Sequence, residues 1–274
     1  MSALWNTESP GALTIEGKRL ECRCFGPSPQ DAPTLVLLHE GLGCVALWRD
    51  FPDRLATVTG LGVFVYSRTG YGQSDPVELP RPLDFMTREA VDVLPKVLDA
   101  MGIAKAVLIG HSDGASIAAI HGGQVRDPRV AGLVLMAPHF FTEEMGLAEI
   151  AKTREVYEQT DMAQRMGKYH RNPDNAFRGW NGVWLDPAFK SWNIAGVIDT
   201  IAVPVLALQG RDDQYGTRAQ IEVIRERIRA SLDVVILDDC RHSPQFEQPE
   251  KTLEAVAQFA ARLASPAMDE AESR

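Results

Sequence analysis

Apolar residues in this chain fall into two textures. Short, almost unbroken runs occupy Thr34 to His39 (TLVLLH), Val63 to Ser67 (VFVYS), Ala106 to His111 (AVLIGH) and Gly132 to Ala137 (GLVLMA), and two more follow as PVLALQ and DVVILD. Runs of this length without polar alternation predict strands covered on both faces. Between them apolar positions recur every three or four residues, which predicts helices over VALWRDFPDRLATV, TREAVDVLPKVLDAMG, GASIAAIHGGQV, QIEVIRERIRA and EKTLEAVAQFAARLA. Ahead of them all, ALTIEG and KRLECRC read as a hairpin turning near Gly17. Strands alternating with helices predict an α/β fold with a mostly parallel eight-stranded sheet flanked by helices on both faces.

One stretch breaks the alternation. Residues 139–200 are helix-like and rich in aromatics, with no convincing strand, although strands precede and follow them. Such a segment has to lie over the sheet as a helical cap inserted between strands 6 and 7. The expected organisation is a discontinuous core of residues 1–138 and 201–264, a cap over 139–200, and a flexible polar tail over 265–274.

The stretch IGHSDGAS, Ile109 to Ser116, sits where an apolar strand gives way to a small-residue helix. A serine at a Gly-x-Ser-x-Gly corner takes a strained backbone conformation that exposes its hydroxyl. The flanking glycines, here Gly110 and Gly114, remove side chains that would collide with strand and helix. The competing reading is that Ser112 merely caps the helix. Nucleophilic use needs partners, because a serine attacks at neutral pH only when a base takes its proton and a third group holds that base in the right tautomer. The loop after PVLALQ, GRDDQYGT, offers Asp212 and Asp213, and the loop after DVVILD offers His242. The order serine, acid, histidine along the chain fits a corner of this kind.

Together these motifs resemble the α/β-hydrolase family in its capped form, over nearly everything from Ala12 to Ala264. The resemblance implies Ser112 as nucleophile and His242 as base. It implies Asp213 as the acid, because a glycine, two variable positions and the acid fall on Gly210, Arg211, Asp212 and Asp213; Asp212 is the fallback. It also implies an oxyanion hole built from the backbone N–H of Asp113 and that of Gly41 in LLHEGLGCVALW, with Leu42 as the alternative donor. Here the chain departs from the family, since Glu40 stands where a glycine is usual. A carboxylate so close to an oxyanion is unfavourable unless it is turned away or paired. YSRTGYGQSD resembles the family's Asp-x-Arg-Gly-x-Gly-x-Ser turn, with Tyr66 where an aspartate is often found, and a structural role is expected for it.

For substrate contact the cap offers His139, Phe140, Trp180, Trp184 and Trp192, which suit an apolar or aromatic acyl or alkoxy group. His170 is a further candidate, and Arg171, Arg178 and Lys190 could hold a substrate carboxylate. His111 is expected to pack beside the corner, His39 to order the oxyanion loop and His121 to sit in the core. The Asp113 side chain either serves the helix dipole or contacts a substrate hydroxyl or amine, or a polar cap residue.

Composition narrows the rest. A chain of 274 residues with 45% hydrophobic content can core one domain with an insertion. A net charge of −9 disfavours nucleic acid and anionic membrane surfaces as partners. No run approaches the roughly 18 apolar residues of a membrane span, and MSALWNTESP has no charged and apolar leader pattern, so a cytoplasmic location is expected. Cys22 and Cys24 share one strand face while Cys44 and Cys240 are isolated, which predicts reduced thiols and no metal site, and the chemistry expected of Ser112, Asp213 and His242 implies no organic cofactor. The expected activity is hydrolysis of a small or medium carboxylic ester through an acyl-enzyme, with a small-molecule partner and a homodimer left open. The nearest rival is hydrolysis of a carbon–carbon bond in a ring-cleavage product. Lactonase and thioesterase chemistry follow, and a non-catalytic hydrolase-like receptor stands last. Halide displacement would call for an aspartate in place of Ser112.

Overall fold

The computed structural model describes residues 5–30 and 32–264, and the predicted tail lies outside the described residues. Eight strands form one sheet: β1 (Gly11–Ile15), β2 (Lys18–Phe25), β3 (Thr34–Leu38), β4 (Gly62–Tyr66), β5 (Ala106–His111), β6 (Val130–Met136), β7 (Val205–Gly210) and β8 (Leu232–Leu237). Their order across the sheet is β1-β2-β4-β3-β5-β6-β7-β8. The hairpin β1–β2 and the pair β2–β4 are antiparallel, and every other pair is parallel.

Alternation along each central strand explains why the runs looked unbroken. Val36 and Leu38 of β3 pack into a core on one face, while Leu35 and Leu37 pack into a second core on the other. All four are buried, and each such side chain contributes roughly 1.5–3 kcal/mol by leaving water. The first core is covered by α2 (Phe85–Arg88), α3 (Leu94–Met101), α4 (Asp113–Ile120) and α8 (Ala219–Arg227). The second is covered by α1 (Phe51–Thr59) and α10 (Pro249–Ala264). The short α9 (Pro244–Glu247) leads into α10.

Three predicted helices are not uniform. VALW forms a 3₁₀ turn, Val45–Trp48, separated from α1 by Arg49 at a φ of 54°. A π-turn at Glu89–Val93 joins α2 to α3, just before Pro95, which has no N–H to give the preceding turn. A second π-turn, His121–Val125, extends α4. Its Gly123 lies so close to the Val197 carbonyl that a side chain there would collide with it.

Between β6 and β7 run α5 (Glu144–Gln159), α6 (Met162–Met166) and α7 (Pro173–Trp184), then 3₁₀ turns at Pro187–Ser191 and Ala195–Thr200. A lone bridge, Phe141 with Asn193, ties the two ends of this segment together. Its last turn leaves the others and docks beside α4, where the Thr200 hydroxyl donates to the Gly123 carbonyl at 2.8 Å.

The topology fixes where a site can form. From β3 the chain moves to β4 on one side, then returns to β5 on the other. Loops leaving the carboxyl ends of β3 and β5 therefore diverge and leave a crevice.

Candidate active site

Ser112 occupies that crevice with φ 53° and ψ −118°, a left-handed conformation that costs a non-glycine residue on the order of 1–3 kcal/mol. The corner is tight enough to need its glycines. A Cβ at Gly110 would strike the Gly114 backbone, and one at Gly114 would strike the Leu38 carbonyl. Asp113 begins α4, so its N–H has no intrahelical acceptor and stands available at the helix N-terminus.

His242 follows β8, and its Nδ1 lies 2.9 Å from both carboxylate oxygens of Asp213, which follows β7. The proton on Nδ1 is thereby committed to the acid, and Nε2 is left as the basic nitrogen. Asp213 is itself held: Gln209 Nε2 donates to Oδ2 at 2.8 Å, and the Tyr215 and Gly216 N–H groups donate to Oδ1 at 2.9 and 3.3 Å. Burial pushes the Asp213 carboxyl up, but the facing His242 and the Tyr215 N–H outweigh it and hold the group below its ordinary range. Asp212 is exposed, so the choice between the adjacent aspartates falls to Asp213. Ser112 and His242 line one cavity of about 190 Å³. No hydrogen bond joins Ser112 Oγ to His242 among the described residues, and bonds of this kind tighten when substrate is seated.

His111 does more than pack beside the corner. Its ring is buried, Nε2–H donates to the His242 carbonyl at 2.7 Å, and Nδ1 accepts from Gln245 Nε2 at 3.0 Å. The residue before Ser112 thus holds the backbone of the loop that carries His242.

The loop after β3 is fixed from beneath by Arg68, whose buried guanidinium donates to the His39 carbonyl at 2.5 Å and the Glu40 carbonyl at 3.0 Å. His39 orders the same loop, as expected. Its Nδ1–H donates to the Glu40 carbonyl at 2.7 Å and its Nε2 accepts the Arg68 N–H at 3.1 Å. Both nitrogens are then satisfied by a neutral ring, and burial with Arg68 alongside holds its pKa well below the usual value. Gly41 and Leu42 both line the cavity, and a Cβ on Gly41 would overlap the Trp180 indole. The Glu40 carboxylate folds back over Gly43 and faces His111 Nδ1 at 3.7 Å. Burial alone would raise its pKa, but His111 and Arg68 bring it below the ordinary value. The conflict anticipated for this carboxylate is answered by its turn back over Gly43.

Of the cap residues, His139, Trp180 and Trp184 line the cavity, joined by Ile150, Thr153 and Met162. Phe140 and Trp192 do not, which corrects two expected contacts. Phe140 is wholly buried in the core, its N–H given to Gln220 Oε1 at 2.7 Å. Trp192 stacks on Phe189 at 5.2 Å and backs Trp184 from behind. His170 also turns from the cavity, accepting the Gly72 N–H and donating to the Leu42 carbonyl, each at 3.0 Å. The Asp113 side chain meets a polar cap residue, since Trp184 Nε1 donates to its Oδ1 at 3.2 Å. Its Oδ2 is buried with no hydrogen-bond partner among the described residues, and burial raises its pKa. Tyr66 is a core residue of β4. Arg68, Gln209 and Tyr215 were not singled out from the sequence. Gln209 carried a signal, being a polar residue at the end of an otherwise apolar strand.

A protein-family model described as the alpha/beta hydrolase family matches residues 35–255. Epoxide hydrolase B of Mycobacterium tuberculosis is 29% identical over 108 residues, which cover 39% of this chain and 29% of that relative. The chain thus matches less than a third of that relative's length. Among solved structures, a membrane phospholipase A described as a bacterial virulence factor superposes with a TM-score of 0.76 at 20% identity, covering 94% of this chain and 87% of the other. A thermophilic esterase from Thermogutta terrifontis gives 0.71 at 18% identity, covering 94% and 100%.

Proposed function

The chain belongs to the alpha/beta hydrolase family, and from that premise we propose that it is a serine hydrolase of small carboxylic esters. The observation that carries this reading is the strained Ser112 sharing a cavity with a histidine whose Nδ1 is locked onto Asp213. In the proposed reaction Ser112 Oγ attacks the ester carbonyl carbon while its proton passes to His242 Nε2. The developing oxyanion is received by the N–H groups of Asp113 and Gly41, donors worth about 3 kcal/mol each in such sites. The carbon–oxygen bond of the ester then breaks, and the leaving alkoxide takes the proton from His242. Water, deprotonated by the same nitrogen, attacks the acyl-enzyme carbonyl, releasing the carboxylic acid and restoring the serine hydroxyl.

The nucleophile also argues for an acyl substrate over an epoxide. Serine opening an epoxide would be left as an ether, with no carbonyl for water to attack, whereas an acyl-serine retains one. The cavity of about 190 Å³ is smaller than the 300–1,000 Å³ usual for drug-sized ligands, which favours a short acyl group.

The test combines labelling with turnover. An organophosphonate should add to Ser112, identified by mass spectrometry of the digested protein. Among p-nitrophenyl esters from acetate to decanoate, the short members should turn over fastest, and Ser112→Ala should reduce kcat by at least about 10⁴-fold. An unlabelled Ser112 together with no turnover of any ester would sink the proposal.

A further inference from the structure

The cavity's charges are one-sided. Its ionisable lining residues are Glu40, Asp113, His139, Tyr215 and His242, and among the described residues no lysine or arginine lines it. The three cap cations that could have held a carboxylate all point outward. Arg171, Arg178 and Lys190 are each more than 60% exposed and face Asp75, Asp174 and Glu144. The buried arginines beneath the site are already engaged, Arg68 on the His39 and Glu40 carbonyls and Arg81 on the Tyr71 hydroxyl and the Thr69 carbonyl.

The remaining groups differ in the charge they bring. Burial and the neighbouring His242 push the His139 ring down to about 3, so it faces substrate as neutral imidazole. Asp113 is enclosed, with one oxygen on Trp184. Glu40 is different, because its side chain keeps 28% of its surface open and its carboxylate, 3.7 Å from His111 Nδ1, forms no ion pair with a lysine or arginine among the described residues. The rest of the lining includes Leu42, Ile150, Met162, Trp180 and Trp184, which offer an anion neither charge nor solvation.

We infer that this site accepts uncharged esters and turns away those whose acyl group carries a free carboxylate, with Glu40 as the discriminating residue. The inference rests on the ester-hydrolase reading and specifies its substrate class. A carboxylate entering beside Ser112 would lose its hydration, find no cation, and meet a fixed like charge in the adjoining loop. The same reasoning weighs against a ring-cleavage product bearing a carboxylate as the natural substrate.

Methyl 4-methylpentanoate and monomethyl succinate place the same heavy-atom outline on the acyl side and differ in charge, so their kcat/KM ratio isolates the effect. Acid release followed by pH-stat should favour the neutral ester by at least about 10-fold in the wild-type enzyme. Glu40→Gln should narrow that ratio several-fold, while Glu40→Asp, which keeps the charge, should retain it. Organophosphonate labelling of Ser112 in each variant reports whether the site is assembled. Should Glu40→Gln fail to fold, the wild-type ratio still decides. Equal or faster hydrolysis of monomethyl succinate by the wild type overturns the inference, as does a ratio that Glu40→Gln leaves unmoved. Failure of the hydrolase reading looks different, with neither ester consumed and Ser112 unlabelled.

Discussion

At the scale of single residues the site separates into groups whose chemistry is visible in their type and groups whose role depends on a distant backbone atom. Ser112, Asp213 and His242, the proposed catalytic group, belong to the first kind, because proton transfer needs those residue types and strand ends are where a sheet can present them. Asp212 and Asp213 are equally good in type, and only burial against His242 separates them. His111 belongs to the second kind: its acceptor is a carbonyl 131 residues away, and a carbonyl leaves no mark in a sequence. Removing that bond with His111→Ala should lower kcat by about 10- to 100-fold with KM little changed, because the base-bearing loop loses its anchor while the cavity wall stays. His111→Gln, which can still donate to the carbonyl, should recover much of the loss. Steady-state kinetics on one short ester checks both, and equal losses in KM and kcat would assign His111 to binding instead. Asp213→Asn should cost about 10⁴-fold in kcat, since the amide cannot hold Nδ1–H toward itself.

At the scale of elements, the cap shares a hydrophobic core with the sheet and meets the cavity through two tryptophans of α7. Trp180 and Trp184 are four residues apart on α7 and so share a face. That spacing could have distinguished them in advance from Trp192, which lies beyond the helix. Which face of α7 meets the sheet was not legible, because it is set by docking: Trp180 against Gly41, and Trp184 on the Asp113 carboxyl. Gly41→Ala should displace Trp180 and lower kcat/KM for a short ester by 100-fold or more, a loss expected when a reacting geometry shifts by about 1 Å. Trp184→Phe leaves both Asp113 oxygens buried without a partner and should destabilise the fold by about 1–3 kcal/mol in urea unfolding. An unchanged midpoint would mean that Asp113 finds another partner.

For the whole molecule, the histidines tie stability to pH. Burial is the leading cause that lowers the pKa of His39, His121, His139 and His170, four of the six histidines in the chain. A histidine depressed on folding binds its proton more weakly folded than unfolded, so its contribution is intact above the unfolded value and declines as pH falls toward the folded one. For His139 the window runs from 6.5 down to about 3. Acidifying from pH 7.5 to 5 should therefore cost about 2 kcal/mol from this residue alone. Urea unfolding across that range should show stability falling with acidification, and His139→Gln should flatten the slope; a slope the variant leaves unchanged would contradict the depressed value.

The sheet, its flanking helices and the helical segment between β6 and β7 were legible in the chain, because apolar periodicity records which faces each element must bury. The candidates for nucleophile, base and acid were legible too, because chemistry restricts such roles to few residue types. Tertiary structure alone decided which aromatics reach the cavity, how Glu40 is tolerated beside an oxyanion hole, and which way the cap's cations turn. Those outcomes depend on contacts between residues far apart in sequence, where packing and the supply of hydrogen-bond partners, not periodicity, select the arrangement.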